Sequence, residues 1–516
     1  MSQSHLTSSR PRLAFRLTLH GSLLVLLVMF LAACADSGGG PAPGVIGITI
    51  EEFRADEVGV AGAPTHFAWR VGHSVEGEAL SCRLEPGDGS APLSIADCGL
   101  TTSASHVYEA AGTVRATLTV SDSAGRSATD IVSVTIGVPN RVERVIVDGG
   151  DRSLPPGLSL DMTATVEATG DLSRAVTWSS SDANVLSVDA TGTITGLQVG
   201  TAVLTATSVA DPSKFGAVTI TVTPAMILTI DTSLVSGNTF HLPLRGTGVV
   251  TVYWGDGQVE EITDPEGRDH TYESEGVYTI RVTGALAGEP HYGGASSYTG
   301  VAAVSSVSSW GELGLTSLEG AFRGARSLTT VPSELPSTVT NLEDMFWGAH
   351  AFDHDISGWD TSNVTNMHGL FHGARSFNQD IGSWNTSNVI IMQDVFRGAR
   401  SFNQDVSGWD TSNVDNMVGL FYGAWEFNQD IGGWDTSNVT NMKFTFYDAR
   451  QFNQDIGGWD TSNVIDMMQM FANALTFNQD LSGWCVAQIP VAPSVFRLGT
   501  PAWTLPKPNW GAPCGP

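Results

Sequence analysis

Apolar residues in the second half of the chain recur at a constant interval of 25 positions. A period of about 20–50 residues indicates a stacked array in which each unit buries its apolar side against its neighbours. The repeated Met, Ile, Phe and Trp positions are therefore predicted to form the core of the array. Three aromatic columns keep the interval: Trp359, Trp384, Trp409, Trp434, Trp459 and Trp484; Phe352, Phe377, Phe402, Phe427, Phe452 and Phe477; and Phe346, Phe371, Phe396, Phe421, Phe446 and Phe471.

Each unit is predicted to contain a short strand followed by a short helix. Residues 387–390 favour an extended, β-branched segment. Met392, Val395, Phe396 and Ala399 then have the i, i+3, i+4, i+7 spacing of one helical face, which predicts about two turns of α-helix. Asparagines that repeat in register predict a ladder of amides bonded to the backbone of the turn and of the next unit. The ladder positions are Asn388, Asn413, Asn438 and Asn463.

The first half of the chain has a different pattern, in which apolar and polar residues alternate in short runs. Residues 114–120 and 131–136 are β-branched runs separated by a turn at 121–125. Such runs predict three β-domains at residues 45–138, 140–223 and 225–285. The repeat array then covers residues 286–484, and residues 485–516 are predicted to cap its open end.

The N-terminus has the composition of a secretory signal. Its first 20 residues contain three arginines and no acidic residue, and the apolar run at 23–33 is too short to span a bilayer as a helix. Leu31-Ala32-Ala33-Cys34 resembles a bacterial lipobox. The resemblance implies that residues 1–33 are removed, that Cys34 is acylated, and that residues 34–44 form a flexible tether. It further implies a protein anchored by lipid in the cell envelope, at the outer membrane and exposed at the surface.

The other four cysteines are predicted to form two disulfides, because an exported chain permits them. Cys82 and Cys98 lie on either side of a Gly-Asp-Gly turn, and a bridge between them contributes roughly 3 kcal/mol. Cys485 and Cys514 are predicted to pin the C-terminal cap.

Each β-domain resembles a known family. Residues 87–90, 106–108 and 118–122 resemble the motifs of a PKD domain, and so do residues 253–257 and 270–282. In the second domain, W-S-S-S-D at 178–182 and G-x-I-x-G at 192–196 resemble a group 2 bacterial Ig-like domain. These resemblances imply three Ig-like β-sandwiches, which most often act as spacers and sometimes bind a partner.

The repeat text, F-N-x-D-I-x-x-W-[DN]-x-S-N-V followed by an M-F phrase, resembles that of BspA-like leucine-rich-repeat surface proteins. The resemblance implies an α/β leucine-rich-repeat-like solenoid of 25-residue units. The fold class expected for the whole chain is therefore multidomain, with all-β sandwiches followed by an α/β solenoid. It also implies a function in adhesion or recognition of extracellular protein or glycan partners.

The net charge argues against nucleic acid as a partner, and one column of acidic residues raises the question of calcium binding. The chain has 25 basic and 53 acidic residues, a formal net charge of −28, so nucleic acid is not an expected partner. One acidic column stacks in register, where like charges repel unless compensated. Either each carboxylate accepts a backbone N–H within its own turn, or the column binds calcium between units. The column consists of Asp355, Asp380, Asp405, Asp430, Asp455 and Asp480, and the candidate calcium ligands are Asp380, Asp405, Asp430 and Asp455.

The sequence favours a binding protein over an enzyme. It contains no G-x-S-x-G, H-E-x-x-H, Walker or dinucleotide-binding motif. Two alternatives remain: an accessory or catalytic component of secreted polysaccharide or protein degradation, and a surface-layer component that associates with itself. The candidate binding residues are the positions that vary between otherwise identical units: His368, His372, Gln393, Arg397, Arg400, Tyr422, Trp425, Lys443, Tyr447 and Gln469.

Overall fold

The computed structural model describes residues 47–75 and 77–514. The predicted signal peptide, Cys34 and the predicted tether lie outside these residues. The described chain is built from strands and turns, and its helices are two 3-10 turns at Thr232–Leu234 and Val301–Ala303. It divides into two compact units, one ending at Pro139 and the other starting at Asn140. Over the described range, we find no helix with the length and apolar character needed to cross a bilayer.

The first unit contains two sheets that enclose one core. One sheet has the order β1-β3-β6 and the other the order β2-β8-β7-β4-β5. Alternate residues of β3 and β7, including Phe67, Trp69 and Leu118, enter the core, and the predicted Cys82–Cys98 disulfide lies within it. The strands are β1 (Ile48–Ala55), β2 (Val58–Val60), β3 (Pro64–His73), β4 (Ser81–Glu85), β5 (Leu93–Ile95), β6 (Ser103–Val107), β7 (Gly112–Ser121) and β8 (Ser127–Gly137).

The second unit begins with nine short strands in three sheets. Their orders are β10-β17-β16-β13, β11-β15-β14 and β12-β9, and β10 pairs with β17 in parallel. Their core includes Leu186, Ile194, Leu204 and Ile220. The strands are β9 (Arg141–Val147), β10 (Arg152–Leu154), β11 (Ser159–Asp161), β12 (Ala164–Thr169), β13 (Val176–Ser180), β14 (Leu186–Val188), β15 (Thr193–Gly196), β16 (Gly200–Ser208) and β17 (Phe215–Val222).

A six-stranded sheet follows and closes the N-terminal end of the repeat array. Strand β22 runs past residue 285, the predicted end of the third domain, and residue His291 within it pairs with Ser317 of the array. The sheet and the array share one continuous apolar core. The strands are β18 (Ala225–Asp231), β19 (Thr239–Tyr253), β20 (Val259–Thr263), β21 (Glu266–Thr271), β22 (Val277–Tyr292) and β23 (Val304–Trp310).

The predicted α/β solenoid is wrong, because the repeat units contain no α-helix. Each unit instead has two residues with left-handed backbone, four positions apart, such as Asp394 (φ 56°) and Gly398 (φ 70°). A right-handed helix needs negative φ at every residue, so the segment 392–399 forms tight turns. The predicted strand at 387–390 is also absent, and only Ile391 pairs with the neighbouring units in a parallel bridge.

Backbone hydrogen bonds explain how turns replace the helix. In one unit the amides of Leu370, His372 and Ala374 bond to carbonyls three residues back in the same unit. The alternate amides, of Gly369, Phe371 and Gly373, bond to carbonyls of the next unit at 2.9, 2.9 and 2.6 Å. Every second amide of this segment therefore bonds to the next unit. Backbone hydrogen bonds thus connect successive units although no continuous strand is present.

The predicted core of the array is confirmed. The repeated Trp and Phe side chains are buried and stack nearly parallel, as Trp384 and Trp409 do with centroids 6.4 Å apart and planes 2° apart. The indole N–H of Trp409 donates to the carbonyl of Ile381 at 3.0 Å, which satisfies a polar group inside the core. The predicted asparagine ladder is also present, since Asn413 donates to the carbonyl of Ser387 at 2.7 Å.

The aromatic stack ends at the C-terminal segment, where the rings pack edge-on instead of parallel. Trp503 meets Phe477 edge-on at 4.9 Å, and Trp510 meets Phe496 edge-on at 4.9 Å. Cys485 and Cys514 form the predicted disulfide across this segment. Phe496 and Trp503 are buried over the last unit, whereas Leu498 and Leu505 of the same segment are exposed.

Candidate functional site

The two left-handed residues of each unit place variable side chains in rows on one face of the array. The position before the second left-handed residue forms a row that we term the planar ladder. Its members are Arg323, Trp347, His372, Arg397, Tyr422 and Tyr447. Because each unit repeats the same turn, these flat side chains lie over one another from unit to unit.

Contacts along the planar ladder are close. The Arg323 guanidinium lies 4.0 Å from the Trp347 ring centroid, and Trp347 stacks on His372 at 3.8 Å. Further along, Arg397 lies 4.3 Å over Tyr422, which stacks on Tyr447 at 4.4 Å. Cation–π contacts of this kind contribute about 0.5–1 kcal/mol at exposed sites, so the ladder is a rigid, preorganised surface.

A second row, the arginine column, lies three residues after the planar ladder in each unit. Its members are Arg326, His350, Arg375, Arg400, Trp425 and Arg450. Trp425 lies between two guanidinium groups, with Arg400 at 3.9 Å and Arg450 at 4.0 Å from its ring. Asp448 accepts hydrogen bonds from the Trp425 indole and from Arg450, both at 2.9 Å.

Positive charge is concentrated along the arginine column despite the acidic balance of the chain. Burial and then the charges of Arg375, Arg326 and Arg400 lower the pKa of His350. Three nearby arginines oppose protonation of this histidine, which indicates that the electrostatic potential around it is positive. A positive potential at this surface would attract an anionic ligand.

His372 is a neutral member of the planar ladder. Burial, followed by the neighbouring Arg397, lowers its pKa to about 4. Its ring therefore stacks on Trp347 as an uncharged imidazole at neutral pH. The ladder thus combines aromatic faces with two guanidinium groups, Arg323 at one end and Arg397 near the centre.

The structure brings most of the predicted variable residues into these two rows. His372, Arg397, Tyr422 and Tyr447 belong to the planar ladder, and Arg400 and Trp425 belong to the arginine column. The remaining four lie next to the first left-handed position. His368 lies beside two carboxylates, Gln393 is partly buried beside Asp394, Lys443 lies 5.0 Å from the Phe444 ring, and Gln469 is itself left-handed.

Sequence reasoning missed six row members: Arg323, Arg326, Trp347, His350, Arg375 and Arg450. Arg323 and Trp347 belong to early, degenerate units, where the interval between Phe322 and Phe346 is 24 residues rather than 25. The motif F-x-G-A could have located them. Its phenylalanine is the buried one, and the motif can be aligned between units even where the rest of the unit diverges.

The predicted acidic column forms turns. Oδ1 of Asp380, Asp405, Asp430 and Asp455 accepts the backbone N–H two residues on, at 2.9–3.0 Å. Among the described residues, the groups of three or more ligand atoms within 4.8 Å of one another are His73–Glu78–Asp122 and Glu343–Asp344–His368. Neither contains a member of this column, and calcium binding there stays a prediction.

Family comparisons match two parts of the chain. Residues 141–218 match the bacterial Ig-like domain (group 2), in agreement with the resemblance of the second β-domain. Residues 316–417 and 403–500 match the family described as "Mycoplasma protein of unknown function, DUF285". These matches support a surface protein with Ig-like domains.

Curated relatives share short segments with this chain. One is a 3-O-alpha-D-galactosyl-alpha-L-arabinofuranosidase of Bifidobacterium longum subsp. longum, 39% identical over 93 residues, which are 18% of this chain and 8% of that protein. Another is a lacto-N-biosidase of Bifidobacterium bifidum, 44% identical over 77 residues, which are 15% of this chain and 7% of that protein. The chain thus spans less than a tenth of the length of the curated relatives it matches.

Solved structures resemble parts of the chain weakly. Domains 4 and 5 of the S-layer protein SbsC align with 35% of this chain and 98% of that chain, at 15% identity and a TM-score of 0.18. A structure of carbohydrate-binding modules of the β-sandwich superfamily aligns with 46% of this chain and 97% of that chain, at 14% identity and a TM-score of 0.17. At these scores no functional argument rests on the likeness.

Proposed function

We propose that this chain is a lipid-anchored recognition protein of a bacterial cell envelope, and that its repeat array binds acidic glycans. Acylated Cys34 anchors the chain, the tether and β-domains separate the array from the membrane, and the array faces outward. The protein binds its ligand without transforming it. The observation on which the ligand class rests is the position of Trp425 between Arg400 and Arg450.

The arginine column supplies the recognition of anionic groups. A guanidinium group binds a carboxylate or a sulfate-like oxyanion through two parallel hydrogen bonds. Successive units pair in parallel bridges, where adjacent backbones lie about 4.8 Å apart, so the arginines of the column form a row that an extended anionic polymer can follow. Stacking on Trp425 holds Arg400 and Arg450 in place before binding, which reduces the entropy lost when the ligand arrives.

The planar ladder supplies the second half of the surface. Tyr, Trp and Arg are the residue types enriched where binding energy concentrates, and Trp347, Tyr422 and Tyr447 offer flat apolar faces beside the arginines. A sugar ring has an apolar face as well as hydroxyl groups, so the combination suits a glycan with acidic substituents. The short segments shared with two proteins named as an arabinofuranosidase and a lacto-N-biosidase favour a carbohydrate over a protein ligand.

The proposal is tested by a binding screen of the full chain with Cys34→Ser to keep it free of lipid. The ligands in the screen should include uronic-acid glycans, sulfated glycans, matched neutral glycans and extracellular proteins. We expect saturable binding to acidic glycans, and loss of that binding in Trp425→Ala but not in Arg115→Ala, a control at an exposed arginine of β7. Selective binding to neutral glycans or to proteins would contradict the proposed ligand class.

A further inference from the structure

Three ligand-type side chains converge where the planar ladder begins. His368 Nδ1 lies 3.5 Å from Glu343 Oε1 and 3.8 Å from Asp344 Oδ1. Glu343 and Asp344 belong to one repeat unit and His368 to the next, so the group bridges two units. The three ligand atoms all lie within 4.8 Å of one another.

Two of the three atoms lack a partner. Asp344 Oδ1 and His368 Nδ1 are both buried and make no hydrogen bond within the described chain. The Asp344 side chain is only 6% exposed. An unsatisfied buried polar atom costs about 1–3 kcal/mol, and a cation bound between these two atoms would satisfy both.

Neighbouring side chains leave these atoms free and hold them in position. Arg323 bonds to the other oxygen of Asp344, Oδ2, and Asn366 donates to the other oxygen of Glu343, Oε2, at 2.9 Å. Asp344 has a left-handed backbone (φ 53°), and a Cβ at Gly369 would overlap with its Oδ1. Glycine directly after His368 therefore makes room for the carboxylate. Such second contacts orient ligands in metal sites.

We propose that Glu343, Asp344 and His368 bind a zinc ion. Zinc takes imidazole nitrogen and carboxylate oxygen at about 2.0–2.2 Å, in tetrahedral geometry that separates ligand atoms by roughly 3.3–3.5 Å. The observed separations require only a small closure. The imidazole disfavours calcium and magnesium, which prefer oxygen ligands. His368 is 25% and Glu343 34% exposed, so the outer side of the ion faces solvent and has an open position for water or an acidic ligand group.

The other cluster of the described chain consists of His73, Glu78 and Asp122. It has the same residue types, but its ligand atoms already have partners. Its Asp122 is saturated, because Arg126 bonds to one oxygen and the backbone N–H groups of Ala124 and Arg126 bond to the other. His73 also bonds to a backbone carbonyl and to Asp122. This cluster has the same residue types without a free ligand atom, so it is an ion-pair network.

The test is calorimetric titration of the EDTA-treated and desalted full chain (Cys34→Ser) with zinc chloride and, separately, calcium chloride. We expect one saturable zinc site with calcium at least tenfold weaker, and loss of zinc binding in His368→Ala and Asp344→Asn. Asn366→Ala should weaken zinc about tenfold or more, as removal of such an orienting partner does. His73→Ala should leave zinc binding unchanged.

Thermal unfolding of the same samples distinguishes the loss of zinc ligands from the loss of the fold. A chain that binds zinc in its folded state melts at higher temperature in zinc. We expect the full shift for the unmodified chain and for His73→Ala, a smaller shift for Asn366→Ala, and none for His368→Ala or Asp344→Asn. Variants that melt near the temperature of the metal-free unmodified chain are folded, so their loss of binding is a loss of ligands. No zinc site in the unmodified chain, or equal zinc binding by the His368→Ala variant, would overturn the proposal.

Discussion

Asp394 Oδ1 occupies the space that a Cβ on Gly419 would take. Both residues have left-handed backbone, with φ 56° and 62°. The same relationship joins Asp344 to Gly369 two periods earlier. An aspartate in one unit and a glycine in the next thus share the first left-handed column, and their alternation allows close stacking of turns that would otherwise collide.

Gly419→Ala is therefore expected to destabilise the array. The substitution adds a strained left-handed residue, at a cost of about 1–3 kcal/mol, and also displaces the Asp394 carboxylate. Gly433→Ala is the control, because its Cβ meets no atom within 4 Å and its φ is not positive. Urea unfolding should show a lower midpoint for Gly419→Ala and an unchanged or slightly higher one for Gly433→Ala. Equal midpoints would contradict the role given to the alternation.

Acid is expected to destabilise the array through His372. The unfolded chain protonates this histidine near its ordinary pKa of about 6.5, whereas burial and Arg397 keep the folded form neutral down to about 4. Between these values the unfolded chain binds more protons, so the free energy of unfolding falls as the pH falls. His372→Tyr, which copies the residues at the equivalent positions 422 and 447, should reduce this slope between pH 6.5 and 4. An identical slope in denaturant titrations at several pH values would refute the assignment.

Removal of the Cys485–Cys514 disulfide is expected to loosen the last unit. Opening such a loop costs roughly 2–4 kcal/mol, and in repeat arrays the loss acts mainly on the nearest unit. Cys514→Ser together with Cys485→Ser should speed hydrogen exchange at Phe471 and Asn473, whose amides bond to Phe496 and Leu498 of the cap at 2.9 and 2.7 Å. The paired control, Cys82→Ser with Cys98→Ser, should leave these two amides protected. Unchanged exchange in the cap variant would show that the disulfide does not hold the cap.

The repeat period predicted the core of the array but not its backbone. Trp384, Phe396 and Met392 are buried as expected, because a 25-residue period aligns equal side chains in any stacked array. The helix was predicted from apolar spacing alone, and tight turns produce the same spacing when alternate amides bond to the next unit. Glycines four residues apart, as at 419 and 423, were the available evidence against a helix, since glycine lowers helix stability and favours positive φ.

The candidate site was predictable in part. Variation between otherwise identical units marked Arg400, Tyr422 and Trp425 as candidate binding residues. The structure leaves all three partly exposed, and their role in binding stays a prediction. It could not show that Trp425 lies between two arginines, since that depends on the distance between units. The pairing of Asp344 with His368 was also hidden, because these residues, 24 positions apart in the sequence, become neighbours only when their two units stack.

The central claim is the binding of an acidic polymer along the arginine column. It is tested most directly by measuring the affinity of the full chain (Cys34→Ser) for polygalacturonate, a uronic-acid polymer, and for neutral galactan. The test variant replaces Arg375, Arg400 and Arg450 by glutamine, and its control replaces Arg83, Arg115 and Arg174 in the β-domains, with the same change in net charge. We predict polygalacturonate binding that weakens with salt and falls about tenfold or more in the test variant, equivalent to 1.4 kcal/mol, with the control unchanged. Equal affinity of the test and control variants, or preference for galactan, would contradict the account.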